Sequence, residues 1–180
     1  MIRGRRKTVP VRGGESMQIR KTEPGDLPEA LAIYKHAREF MAENGNPRQW
    51  NTTWPPEELI RHDIETGKSY VCVEEEERIL AVFYYDFGRH VEPAYDHIDG
   101  SWMGSEVYGV VHRIASSGKK KGVGSFCMKW AFSQCHNLRM DTHPDNRIMQ
   151  HTFEKNGFSY SGIIHVPEDA DPRYAYEKLS

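Results

Sequence analysis

Apolar positions follow two periods along this chain, and the alternation between them lays out the elements. From Met17, "MQIRKT" alternates and predicts a first strand ending at Thr22. In "PGDLPEALAIYKHAREFMAENG", Leu27, Ala30, Leu31, Tyr34, Ala37 and Met41 fall on one face of a helix. Asp26 is its expected N-cap, with Glu29 three residues on, and Gly45 ends it. "NPRQWNTTW" follows as a loop. "PPEELIRHDIETG" is a short second helix, with proline at its start and Gly67 past its end. "YVCVEE" and "RILAVFYYDF" predict a hairpin turning on Glu74 to Glu77. "HVEPAYDHIDGSWMGSE" holds turn residues and one or two short strands at most, and the β-branched run "VYGVVHRIA" is a strand.

The second half alternates more regularly. Val123, Phe126, Cys127, Trp130 and Ala131 recur at helical spacing, so a helix begins near Gly122. "NLRMDTH" is a strand. "PDNRIMQHTFEKNG" is a helix, with Asp145 as expected N-cap and Gly157 at C′. "FSYSGIIHV" and "RYAYEKLS" close the chain as strands. Strands alternating with helices predict parallel neighbours, and the hairpins predict an antiparallel remainder. The expected fold is a mixed α/β (α+β) single domain over residues 17–180.

The 180 residues suffice for one domain with a core, and 38% hydrophobic with 28% charged residues is a globular balance. No apolar run approaches the ~20 residues that span a bilayer, so no membrane partner is expected. A net charge of -2 exerts no global pull on nucleic acid. Cys72, Cys127 and Cys135 are odd in number and lack metal-ligand spacing, so they read as reduced thiols in a cytoplasmic protein without a structural metal. Residues 1–16 carry five Lys/Arg before Glu15 and little apolar periodicity. They read as a disordered extension, or as a basic arm for nucleic acid or acidic lipid.

The chemistry concentrates at "SSGKKKGVGSFCMKW", where lysines run into Gly122-Val123-Gly124 at the mouth of a helix. The first N–H groups of a helix have no internal partner, and the macrodipole adds about half a positive charge there. Such a loop cradles a pyrophosphate. The spacing matches neither a Walker A motif nor a Rossmann fingerprint, whose third glycine position is here Cys127. On spacing alone, a solvated lysine loop capped by glycines is equally open.

The combination "VYGVVHRIASSGKKKGVGSFCMKWAF" with "LRMDTHPDNRIMQHTFEKNGFSYSG" resembles the GNAT superfamily of acetyl-CoA-dependent N-acetyltransferases, most closely over residues 106–162. The family pattern is a strand, Arg/Gln-x-x-Gly-x-Gly/Ala, a helix, a strand, an asparagine opening a second helix, and a Lys-x-Gly-Phe close. Here Lys119 stands at the first position, Asn146 at the asparagine, and Lys155-Asn156-Gly157-Phe158 at the close. The resemblance implies a central mixed sheet of six to seven strands, splayed between two parallel strands and flanked by about four helices. It implies acetyl transfer from acetyl-CoA, as cosubstrate, directly to a primary amine of a small molecule or peptide, in a ternary complex. A non-catalytic acyl-CoA sensor with the same fold is the alternative. Family members often dimerise, which leaves a homodimer open.

Residue by residue, the resemblance assigns the pantetheine arm to the main chain of Arg113, Ile114 and Ala115. It assigns the pyrophosphate to the backbone of Lys119, Lys120, Lys121, Gly122, Val123, Gly124 and Ser125, and a further cofactor contact to Asn146. The family often protonates its leaving thiolate with a tyrosine, whose place is taken here by Phe153. His112 and His143, near the ends of the splayed strands, are the candidate replacements, because imidazole titrates in the useful range. The alternative, and the favoured one, is that each is a satisfied structural histidine. Glu106 and Asp141 could act as bases, but a strand-edge charge and a partner for Arg139 or His143 are the favoured roles. Trp50 and Trp54, in the loop after the first helix, would box a cationic acceptor or plug the core beneath the loop. Tyr84, Tyr85 and Asp86 are weaker acceptor candidates, and Cys127 shares an apolar face that makes it core.

Overall fold

The computed structural model describes residues 16–180. The basic stretch 1–15 lies outside them, and with it nearly all of the proposed N-terminal extension. The elements run β1 (Gln18–Lys21), α1 (Leu27–Glu43), α2 (Glu57–Glu65), β2 (Ser69–Val73), β3 (Ile79–Arg89), β4 (Asp99–Gly100), β5 (Val107–Ser116), α3 (Val123–Cys135), β6 (Asn137–Thr142), α4 (Arg147–Lys155), β7 (Ser159–His165) and β8 (Pro172–Leu179). They form one mixed sheet in the order β1-β2-β3-β5-β6-β8-β7-β4. The sheet thus has eight strands rather than six to seven, the addition being two-residue β4 from the segment rich in turn residues. Among the described residues only β5 and β6 pair in parallel; the other neighbours are antiparallel.

Helices cover both faces. Leu27, Ala30, Ile33 and Tyr34 of α1, with Ile60 of α2, bury against Val71, Val73, Val82 and Ala115. On the other face Cys127, Met128 and Ala131 of α3 and Phe153 of α4 pack on Phe83, Leu138, Met140 and Tyr176. The apolar faces expected of both long helices are therefore the buried ones, and Cys127 is wholly core. Gly45, Gly67 and Gly157 end their helices at positive φ, as the sequence requires.

Two caps differ in detail from expectation. Asp26 is the N-cap residue of α1 as expected, but its side chain makes no cap bond: its carboxylate binds Arg20 at 2.7 and 3.1 Å and accepts the Glu23 N–H at 2.7 Å. At α4 the cap is Asn146, not Asp145; the Asn146 Oδ1 accepts the Met149 N–H at 3.1 Å. Beside the site-bearing strands, Arg139 is buried between the rings of Trp102 (4.3 Å) and Tyr108 (4.1 Å) and pairs with buried Glu177 at 3.2 Å. Glu177 also accepts the Met103 and Gly104 N–H groups, fastening the segment before β5 to β6 and β8.

Candidate active site

The parallel strands β5 and β6 pair only at Gly109–Leu138 and Val110–Arg139. Beyond those positions both strands continue without bonding to each other. A cavity of about 690 Å³ opens there, lined by Val111, His112, Arg113 and Ile114 of β5 and by Met140, Asp141 and Thr142 of β6.

A bulge marks the divergence. Val82 lies opposite Ala115 and Tyr84 opposite His112, so Phe83 alone faces both Arg113 and Ile114. An extra residue bends its strand and increases local twist, which turns β5 away from β6. Arg113 takes φ of 50°, which a non-glycine residue adopts only when its surroundings compel it. Three contacts do so. The Arg113 guanidinium donates to the Asp63 carboxylate of α2 at 3.0 and 2.9 Å. It lies 4.6 Å from the Tyr84 ring centre. The Arg113 carbonyl accepts the Tyr34 hydroxyl at 2.8 Å. Burial lifts the Asp63 carboxyl above its ordinary range despite the adjacent Arg113 charge.

On the cavity wall His112 sits between two carboxylates. Its Nε2 is 2.9 Å from Glu92 Oε2, and its Nδ1 is 3.8 Å from Asp141 Oδ2. The Nε2 atom is buried and out of line for a hydrogen bond, so the approach to Glu92 is a close contact rather than a directional bond. Glu92 Oε1 accepts the Ala94 N–H at 3.0 Å, capping the short 3-10 turn Pro93–His97. Burial pushes the Glu92 carboxyl up, but contact with His112 and the Ala94 N–H outweigh it, leaving Glu92 below the ordinary range. Asp141 accepts the Tyr95 hydroxyl at 2.7 Å. Burial, reinforced by Asp141, drives the Tyr95 phenol far above its usual range, so it stays a donor. Asp141 therefore partners Tyr95 and neighbours His112, not Arg139 or His143.

The glycine loop lies where β5 gives way to α3. Gly122 is the N-cap of α3 at φ 79°, which favours glycine. A Cβ on Gly122 or Gly124 would meet no protein atom within 4 Å. Packing accordingly does not account for Gly124, which stands inside a helix where glycine is costly. Open space over unpaired helix N–H groups suits a phosphate. Lys119 and Lys121 are exposed around it, whereas Lys120 Nζ pairs with buried Glu74 at 3.1 Å. Ser125 Oγ accepts Asn156 Nδ2 at 2.9 Å, and Val123 is buried core.

The remaining predicted residues divide between the cavity and its surroundings. Trp50 and Trp54 both line the cavity; Trp50 is also buried core, with its ring 5.9 Å from Tyr34. Asn146 and Phe153 line it as well, Phe153 being wholly buried against Phe158 and Tyr176. Ala115 is buried beneath α1. His143 does not line the cavity. Its Nδ1 accepts the Asp145 N–H at 3.0 Å, so the proton lies on Nε2, which donates to Asp171 at 2.8 Å. His143, Asp169 and Asp171 form a cluster of metal-ligating type, but Arg48 pairs with Asp171 at 2.8 Å and Arg173 with Asp169 at 3.0 Å. Glu106 is an exposed strand-edge charge paired with Arg89.

Sequence comparisons find no matching protein-family model and no matching curated protein. Solved structures do match. A GNAT-family acetyltransferase from Streptococcus agalactiae 2603 superposes with a TM-score of 0.80 at 28% identity, over 92% of this chain and 96% of that one. The chain has the GNAT acetyltransferase fold. Another GNAT-family acetyltransferase, from Listeria monocytogenes 4b F2365, gives a TM-score of 0.69 at 18% identity over 96% and 99% of the two chains. A ribosomal-protein-alanine N-acetyltransferase from Brucella melitensis gives 0.61 at 17% over 90% and 99%. Among the described residues no helix is long and apolar enough to cross a membrane.

Four residues in or around this cavity escaped sequence reasoning: Glu92 and Gln49 on its wall, and Asp63 and Tyr95 behind it. Glu92 stands before Pro93, an acid at the head of a turn, and that was its only local signal. Nothing in spacing links it to His112.

Proposed function

We propose that this chain transfers the acetyl group of acetyl-CoA directly to a primary amine. The observation that carries the reading is the parting of β5 and β6 after Val110 and Arg139, which opens the cavity beside an unpaired strand edge. That edge offers main-chain N–H and C=O groups of Ile114 and its neighbours to the amides of a pantetheine arm. The open backbone at Gly122 to Ser125 suits the pyrophosphate. Acetyl-CoA, when bound, supplies an activated acyl carbon.

The chain's own residues then have distinct tasks. An ammonium acceptor must lose a proton before its nitrogen can attack, and we assign that proton to His112, backed by Glu92. Asp141, held by Tyr95, lies 3.8 Å from the other ring nitrogen and would stabilise the imidazolium once that proton is taken. His143 is outside the cavity, with both ring nitrogens engaged, and we give it a structural role. Trp50 and Trp54, with Glu92, Asp141 and Glu168 on the same walls, favour a cationic amine. Phe153 presents carbon where the family often has a phenol. That observation favours a second reading, a non-catalytic acyl-CoA sensor.

One experiment separates them. The purified chain is incubated with acetyl-CoA and a panel of primary amines, and free thiol is followed. Amine-dependent thiol release supports the transferase. Tight CoA binding by calorimetry without release from any amine favours the sensor, and no CoA binding refutes both.

A further inference from the structure

We infer that Gln49 donates its side-chain amide to a carbonyl of the pantetheine arm; this rests on the acetyl-CoA reading above. Gln49 lies in the loop between α1 and α2, which sequence reasoning assigned to the acceptor through its two tryptophans. The hydrogen bonds fix its orientation. The Asn146 Oδ1 is held by the Met149 N–H as the cap of α4, so the other end of that amide must be Nδ2. This Nδ2 lies 3.1 Å from a terminal atom of Gln49, which must therefore be the carbonyl oxygen. The same Oε1 accepts Asn46 Nδ2 at 2.9 Å and the Thr142 hydroxyl at 3.3 Å. Three donors thus converge on one end of the side chain.

The other end, Nε2, has no acceptor among the described residues, and Gln49 lines the cavity. Its anchors, Thr142 at the end of β6 and Asn146 at the start of α4, form the wall opposite Arg113 and Ile114. A pantetheine arm lying along the β5 edge pairs with that edge on one side, and a carbonyl turned to its other side faces the opposite wall and needs a donor there. Asn146 itself is largely committed to α4 and to Gln49, so the donor passes one residue outward to Gln49. The arrangement also locks the acceptor-side loop to the cofactor-side strand.

Gln49→Glu tests this cleanly. It keeps an oxygen for Asn46, Thr142 and Asn146, so the fold and the loop anchor remain, but it removes the donor. CoA binding is measured by calorimetry on the full chain, with thermal unfolding alongside. The expected result is an unchanged melting temperature and CoA affinity about tenfold weaker than wild type. That loss must persist at high salt, where simple repulsion from the CoA phosphates is screened. Gln49→Ala loses both the anchor and the donor, and is expected to weaken affinity and lower the melting temperature. A Gln49→Glu variant that binds CoA as wild type does, or whose loss vanishes at high salt, overturns the inference and leaves Gln49 as an anchor alone. A wild-type chain that fails to bind CoA overturns the acetyl-CoA reading, and this inference with it. Should the variant not fold, CoA analogues with each pantetheine amide carbonyl reduced to methylene carry the test on wild type; undiminished affinity for both overturns it.

Discussion

Gly124 lets stability and binding be driven in opposite directions. It lies in the first turn of α3, and a Cβ there would meet no protein atom within 4 Å. Replacing glycine inside a helix by alanine or leucine recovers helix propensity, up to about 0.5–1 kcal/mol. For a chain of this length that raises the melting temperature by about 1–4 °C. Binding should respond to size instead. Helical side chains tilt toward the N-terminus of their helix, so leucine at this position leans over the loop where the pyrophosphate is expected. Losing one charge-assisted phosphate bond costs about 1.5–3 kcal/mol, or roughly 10- to 150-fold in CoA affinity. Gly124→Ala, one methyl into open space, should bind within about threefold of wild type. The assay is thermal unfolding without ligand and calorimetry with CoA on wild type, Gly124→Ala and Gly124→Leu. If Gly124→Leu binds CoA normally, the phosphate seat is elsewhere. If both variants melt lower, the glycine serves the fold.

Other outcomes follow from the same geometry. His112→Ala should lower acetyl transfer by about 10²- to 10⁴-fold with CoA affinity retained, whereas His143→Ala should lower the melting temperature and leave kcat close to wild type; thiol-release kinetics and unfolding curves decide. Glu177→Ala leaves buried Arg139 without its counter-charge and two N–H groups without an acceptor, and should cost about 3–5 kcal/mol in urea unfolding. Asp26 and Glu92 both sit below their ordinary pKa in the folded chain, Asp26 chiefly through its bond to Arg20. A depressed carboxyl binds fewer protons folded than unfolded, so its contribution is full above the unfolded value of about 4 and is lost as pH falls through the folded value. Stability should therefore decline below about pH 4, less steeply in Asp26→Asn, as unfolding followed against pH would report.

The periodicity carried the element order because burial on the two faces of one sheet enforces it. Leu27, Ala30 and Tyr34 repeat at helical spacing since α1 has only one side to bury. The caps were less legible. Local rules favour an acid before a helix, yet Asp26 answers to Arg20 on the neighbouring strand, a partner that spacing along the helix does not reveal. At α4, Asp145 and Asn146 are adjacent and chemically similar as caps, and the backbone geometry chose the second. The surroundings of His112 were less legible still. His112 and Asp141 are visible on their strands, but Glu92 and Tyr95 arrive from a turn-rich segment whose local pattern predicts no site.

Arg113 shows why the opening of the site could not be read from its strand. Apart from Gly109, which still pairs with Leu138, "VYGVVHRIA" is β-prone, and no glycine stands at Arg113, where the backbone breaks. The residue at positive φ is instead an arginine, held there by groups distant in sequence: the Asp63 carboxylate on α2, the Tyr34 hydroxyl on α1 and the Tyr84 ring on β3. A glycine could adopt the same backbone angle without help, but would leave the strand free to straighten and re-pair with β6. An arginine tied at its carbonyl and its guanidinium makes the bend depend on α1 and α2 being docked. The contacts that hold the bend come from α1 and α2, and the loop bearing Gln49, Trp50 and Trp54 is strung between those same two helices. Opening of the cavity and placement of the wall formed by that loop depend on the same packing of α1 and α2.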